Sequence, residues 1–403
     1  MTDKPKDRTY PLNQIYFYLT EGCNLRCRHC WVAPSYQIEG NSSLALDLDL
    51  FESIIDQAKR LGLSGVKLTG GEPLLHPQIN EILELISKED LELTVETNGV
   101  LCTPTLAGKI AACKNPFVSV SLDGADAEVH EWVRGVEGCF EAALEGMRNL
   151  TNVGLNPQVI MTVMRRNQEQ VEPVVHLAKC LGAGSVKFNI LQPTAKGLSM
   201  YESGESLSIE ELVTLGRWVE NTLSAATNVP LYYSHPIAFR PLGKMFNQQG
   251  SGCGVCGILS ILGVLADGSY ALCGIGNTVP SLVFGHIAKD RLVDIWQNTP
   301  VLLELRDGLP QRLQGICGRC LMKEMCLGSC LAQNYYASKN FWESFWYCAE
   351  AHSRGLFPAG RLTVKSSEKD LEIESGLRFS LETTGLQQKE SCLPRPRGRQ
   401  SCP

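Results

Sequence analysis

Between Gln14 and Gln192 the chain alternates six times between runs suited to strands and runs suited to helices, and no other feature narrows its fold as far. Strand-type runs, rich in β-branched and aromatic residues, are expected at Gln14–Thr20, Gly65–Thr69, Glu92–Thr97, Phe117–Leu122, Gln158–Val163 and Ser185–Leu191. Helical periodicity falls between them at Asp47–Leu61, Gln78–Lys88, Pro104–Ala112, Cys139–Asn152 and Glu169–Leu181. Such repetition implies parallel strands joined by right-handed crossovers. Six units cannot close an eight-stranded barrel, so an open, partial (βα)6 TIM-type barrel of α/β class is expected over residues 14–230. Chemistry in such folds collects at the carboxyl ends of the strands. A longer amphipathic pattern, Ile209–Ala225, is expected to close this domain.

The loop after the first strand carries Cys23, Cys27 and Cys30 at C-x3-C-x2-C spacing. Three thiolates so close cannot all pair as disulfides, and zinc-finger spacing brings cysteines in twos. Three soft ligands on one loop suit a [4Fe–4S] cluster that keeps one iron open for a substrate or cofactor. A three-cysteine zinc site is the plainer alternative.

At these residues the segment resembles the cluster loop of radical S-adenosylmethionine (SAM) enzymes, with His29 at the aromatic place before the last cysteine. The resemblance implies that the open iron chelates SAM, whose reductive cleavage yields a 5′-deoxyadenosyl radical. It also implies SAM-binding roles at the strand ends. Gly70, Gly71, Glu72 and Pro73 match the motif that binds the methionine amine: glycines let backbone approach a ligand, and a carboxylate can accept from an ammonium. Asn98 and Ser121 are candidates for ribose and methionine contacts, and Arg165 for the SAM carboxylate. Asn189 and Leu191, within NILQP, resemble the segment beside adenine. Turn chemistry explains Asn98-Gly99 and Asp123-Gly124 equally well, and a solvated arginine explains Arg165.

Downstream the composition changes abruptly, from Cys253 onward. Cys317, Cys320, Cys326 and Cys330 follow C-x2-C-x5-C-x3-C, with Cys348 beyond and Cys253, Cys256 and Cys273 ahead. Long periodic runs are few, and a core built from clusters is expected over residues 231–350. The set resembles the SPASM extension of peptide-modifying radical SAM enzymes, which implies two auxiliary [4Fe–4S] clusters. Carried over, one takes Cys253, Cys256, Cys273 and Cys330, and the other Cys317, Cys320, Cys326 and Cys348. A pair of zinc sites is the alternative. Of the remaining cysteines, Cys113, Cys180, Cys392 and Cys402 read as buried or bland. Cys102 and Cys139 are candidate hydrogen donors to a substrate radical, Cys139 because a helix N-terminus favours thiolate. His130 and Arg134 are candidates for substrate contact.

Among 403 residues, 17 cysteines without a secretion signal argue for metal ligation in a reducing, cytoplasmic interior. A net charge of −6 leaves no footprint for nucleic acid, and no apolar run spans a membrane. The expected activity is that of a peptide maturase making a crosslink, an epimer or an excision, with a flavodoxin or ferredoxin as electron donor. An anaerobic sulfatase maturase forming formylglycine shares the same three-cluster plan. A reading of another class is an iron–sulfur or zinc-binding electron carrier or scaffold, which would not need the strand-end polar set. Residues 1–13 are too few for the leader-binding domain of many maturases, so a separate leader-binding protein is a candidate partner. Residues 351–403 are expected to form a polar tail.

Overall fold

The computed structural model describes residues 9–36, 43–245 and 256–363. Six parallel strands follow the expected order: β1 (Gln14–Tyr18), β2 (Gly65–Thr69), β3 (Glu92–Thr97), β4 (Lys114–Ser121), β5 (Gln158–Val163) and β6 (Ser185–Ile190). Their connections hold helices α1 (Leu48–Lys59), α2 (Ile79–Lys88), α3 (Pro104–Ala111), α4 (Ala127–Arg134), α5 (Cys139–Asn152) and α6 (Val171–Cys180). After β6 comes α7 (Ile209–Trp218), which Ser208 and Glu211 start with a reciprocal capping box.

Each strand sorts its side chains by the period of two. Along β5, Val159, Met161 and Val163 turn outward and are buried, whereas Gln158, Ile160 and Thr162 turn into the barrel. The outward apolar set packs under the helices. In α1, Asp47 caps the first turn by accepting from the Asp49 and Leu50 amides, and Phe51, Ile54, Ile55 and Ala58 form the buried stripe. Phe51 meets Phe17 of β1 at 4.3 Å between ring centroids. Truncating Ile54, which is fully buried, would cost about 2–5 kcal/mol.

Four further strands lengthen the sheet: β7 (Leu231–Tyr233), β8 (Ile261–Val264), β9 (Ser269–Ala271) and β10 (Val283–His286). The order is β10-β9-β8-β1-β2-β3-β4-β5-β6-β7. Strand β8 runs parallel to β1 in register from Gln14–Ile261 to Phe17–Val264. A hairpin of β8, β9 and β10 then finishes that edge antiparallel. The boundary expected at residues 230/231 therefore falls just before a strand of the same sheet. The cysteine-rich stretch is also not a core of clusters alone: Trp296, Leu302, Leu305, Phe341, Trp342 and Tyr347 join the apolar core that runs through the barrel. Few turns per element hide this from periodicity.

Candidate active site

The cysteine loop is held down by the ends of β2 and α4. The Gly71 amide donates to the Thr20 carbonyl and the Glu72 amide to that of Gly22, each at 2.9 Å. A Cβ on Gly71 would lie 1.9 Å from the Gly22 oxygen, so no other residue fits there. Gly70, at φ 126°, makes the turn that L side chains resist. Glu72 is 1% exposed and engaged at both oxygens: Oε1 accepts from the Leu74 amide and the Thr97 hydroxyl, and Oε2 from the Asn98 amide at 2.8 Å. Burial, outweighing these bonds, raises its pKa. Asn98 in turn donates to Asn24 Oδ1 at 2.8 Å, inside the loop.

From the other side, the Arg26 and Arg28 amides donate to the carbonyls of Arg134 and Val133, both at 3.0 Å. The Arg134 guanidinium, 7% exposed, donates from Nη1 to Cys27 Sγ at 3.6 Å and places Nη2 2.7 Å from Asp123 Oδ2. Asp123 is wholly buried at the end of β4, and its Oδ1 accepts from the Thr162 amide at 2.7 Å. Burial alone would raise the Asp123 pKa, but the Arg134 guanidinium holds it below the ordinary carboxylate value. His29 is kept neutral, its pKa pushed down to about 4 by burial.

Cys23, Cys27, Cys30, Gly70, Gly71, Glu72, Asn98 and Ser121 line a cavity of about 190 Å³ at the strand ends. It continues into a second, of about 630 Å³, which is the barrel lumen. His29, Trp31, Glu96, Ser119, Ile160, Thr162 and Asn189 border both. Inside the lumen Lys67 pairs with Glu96 at 2.5 Å beneath the Tyr16 ring. Lys187 also faces it. The far wall of the lumen carries Cys256, Cys273 and Cys330. Tyr18 links the two ends: its ring lies edge-on to Trp31, centroids 6.5 Å apart, and against Gly274, where any Cβ would clash. A separate small pocket gathers Cys317, Cys320, Cys326 and Cys348. Cys253 lies outside the described residues, as do Cys392 and Cys402.

The sulfur environments fit ligation. The Leu25 and Met322 amides donate to the sulfurs of Cys23 and Cys320, each two residues earlier, at 3.4 and 3.3 Å. These bonds favour the thiolate and partly offset burial, which raises both thiols. Leu327, Gly328 and Ser329, between Cys326 and Cys330, all have positive φ, a backbone kept only where the surroundings demand it. Cys113 instead donates, to the Leu83 and Lys109 carbonyls. Among the described residues no three His, Cys, Asp or Glu side chains converge on one point as a single ion requires. A cube, whose ligands sit on separate irons, does not need that convergence.

Several expectations require correction. Cys102 is core, packed against α5 at Gly146, and lines neither cavity. Cys139 sits beneath the cysteine loop with Cys23 and Leu25, where burial pushes its thiol up to about 12 despite the helix N-terminus. Both are buried and line neither cavity. Arg165 points away, bound to Glu211 by two bonds of 2.9 Å and to the Gly204 and Ser206 carbonyls. Leu191 packs with Val133, Met164 and Met200 rather than along the cavity, and Pro73 is buried behind Glu72. His130 is buried and accepts from the Asp123 amide, and Arg134 meets the cysteine loop. Sequence reading missed α4 itself, although Asp126 before it and Gly135 after it are ordinary helix caps. It also missed the lumen lysines, which only the strand alternation could have revealed.

A parallel barrel with three thiols at the mouth of its first strand and further thiol sets beyond it defines an iron–sulfur enzyme of α/β class. The chain belongs to the radical SAM superfamily, whose model matches residues 17–178, and an iron–sulfur cluster-binding SPASM model matches 253–321. An AdoMet-dependent heme synthase of Methanosarcina barkeri is 32% identical over 352 residues, 83% of this chain and 95% of the relative. The mycofactocin maturase MftC of Mycobacterium ulcerans is 28% identical, covering 79% of this chain and 82% of its own. Streptococcus suis SuiB, solved with its precursor peptide SuiA, shares the fold at TM-score 0.65 and 18% identity over 84% of this chain and 76% of its own. Among the described residues no helix is long and apolar enough to cross a membrane.

Proposed function

We propose that this protein is a radical SAM/SPASM peptide maturase that admits a ribosomally made peptide to the barrel lumen. The observation that carries this reading is the continuity of the two cavities: SAM would occupy the smaller, and the substrate the larger, between SAM and the far thiols. Cys23, Cys27 and Cys30 would hold the open [4Fe–4S] cluster, which with SAM supplies a hydrogen-abstracting adenosyl radical. Cys256, Cys273 and Cys330, with Cys253, would hold one auxiliary cluster, and Cys317, Cys320, Cys326 and Cys348 the other. The methionine amine would meet the backbone at Gly70 and Gly71 and the Glu72 carboxylate, whose Oε2 accepts from the Asn98 amide and has a further acceptor position. Asn98, Ser121 and Asn189 would face the rest of SAM. The lumen's own task is to orient the substrate between its polar residues and to keep water out. A reducing cytoplasm and a flavodoxin- or ferredoxin-type donor suit such thiols, and a separate leader-binding protein would deliver the peptide.

A haem precursor is the second reading, favoured by the 32% identity to the heme synthase over 95% of its length. Anaerobic incubation of the reduced, reconstituted protein with SAM and either small peptides encoded beside it or haem precursors separates them by mass. Altered peptide mass with intact porphyrin supports the maturase. Altered porphyrin with unchanged peptide, or no SAM cleavage at all, overturns it.

A further inference from the structure

We infer that the buried Arg134–Asp123 pair is a positioning device that sets the reduction potential of the first cluster through the Cys27 sulfur. The inference rests on the site reading above, which makes Cys27 a ligand. Arg134 donates from Nη1 to Cys27 Sγ at 3.6 Å and forms an ion pair with Asp123, Nη2 lying 2.7 Å from Oδ2. Both charged groups are almost wholly removed from water. Keeping two charges there is costly, and helix packing alone would be served better by apolar side chains. The position is also fixed from several directions. The Thr162 amide anchors Asp123 Oδ1, Asn167 donates to the Asp123 carbonyl at 2.9 Å, and the last turn of α4 receives the Arg26 and Arg28 amides. The guanidinium therefore cannot drift from the sulfur without undocking the loop.

A cation beside a ligand sulfur favours the reduced cluster, which carries one more negative charge, and a nearby anion opposes it. In a poorly screened interior both effects are felt at short range. The two residues thus push in opposite directions. Removing the positive member should make the cluster harder to reduce, and removing the negative member should make it easier. A purely structural pair would give the same sign for both, since either loss loosens the same loop.

The test is a redox titration of the anaerobically reconstituted full chain, followed by EPR. The first cluster is identified as the signal whose line shape changes when SAM is added afterwards. Arg134→Gln should lower the reduced-to-oxidised ratio at fixed potential about tenfold, which is about 59 mV for a one-electron couple. Asp123→Asn should raise it by a similar factor, and Arg134→Lys should stay near the parent. Shifts of the same sign, or none, overturn the inference. So does weakened SAM binding at unchanged potential, which would make Arg134 a ligand for SAM instead. If Arg134→Gln holds no first cluster, Asp123→Asn decides alone: an upward shift supports the inference and any other result sinks it. A parent protein with no SAM-sensitive signal overturns the site reading as well, which distinguishes the two failures.

Discussion

The cysteine loop after β1 and the thiol sets beyond β7 prepare sulfur in the same way and surround it differently. In each, a backbone amide two residues on donates to a cysteine sulfur, Leu25 to Cys23 and Met322 to Cys320. The first loop has three thiols, a glycine turn pressed against it and a buried ion pair at its side. It opens onto a cavity with room for a ligand. The second region offers four thiols in one closed pocket, lined by Leu313, Ile316 and Phe357, with almost no free space. There Cys317 and Cys348 face each other, which holds the Cys317 thiol below its ordinary pKa and the Cys348 thiol above it. The contrast is one of room: the first three thiols face a cavity, and so do Cys256, Cys273 and Cys330, whereas Cys317, Cys320, Cys326 and Cys348 line a pocket with almost no free space. Catalysis with SAM should follow the open site, and the fate of the substrate radical should depend on the closed ones.

The largest effect that could break this contrast is at the open site. Cys27→Ala should abolish deoxyadenosine formation and remove about four irons per chain, leaving the auxiliary set. Chromatography of deoxyadenosine with iron analysis checks it, and residual cleavage would make the two regions equivalent. A smaller, selective effect is expected at the closed pocket. Cys320→Ala should keep SAM cleavage within about twofold of the parent and lose peptide product, read by mass; an unchanged product yield would leave the extension a purely structural role. The smallest effect sharpens the line between ligands and other cysteines. Cys102→Ala should keep iron content and product yield, lowering stability by about 1–2 kcal/mol in a denaturant titration. Lost product would restore it as a hydrogen donor.

The fold's repeating part was legible because period-two and period-3.6 patterns hold over whole elements there. The six barrel strands start at or near the expected residues, and α5 matches its expected span. The extension was less so, since β8, β9 and β10 have three or four residues each, too few to carry a period. At the site, the cysteines and GGEP are each local in sequence, and the structure brings both to one cavity. Arg165 misled for the opposite reason. It is adjacent in sequence to a strand end, but its guanidinium reaches Glu211 on α7. Arg134 and Asp123 lie eleven positions apart and meet only because α4 turns back over the loop. Cys139 does open α5, but burial outweighs the helix terminus and raises its thiol.

The pairing of β8 with β1 has a practical consequence for protein engineering. Because Phe17 and Val264 sit opposite each other in one ladder, the extension is no detachable cartridge. A chimera that grafts another enzyme's extension must copy that ladder residue for residue. A single inserted residue would slide the far thiols by about 3.3 Å relative to the opening loop and turn every side chain of the strand to the wrong face.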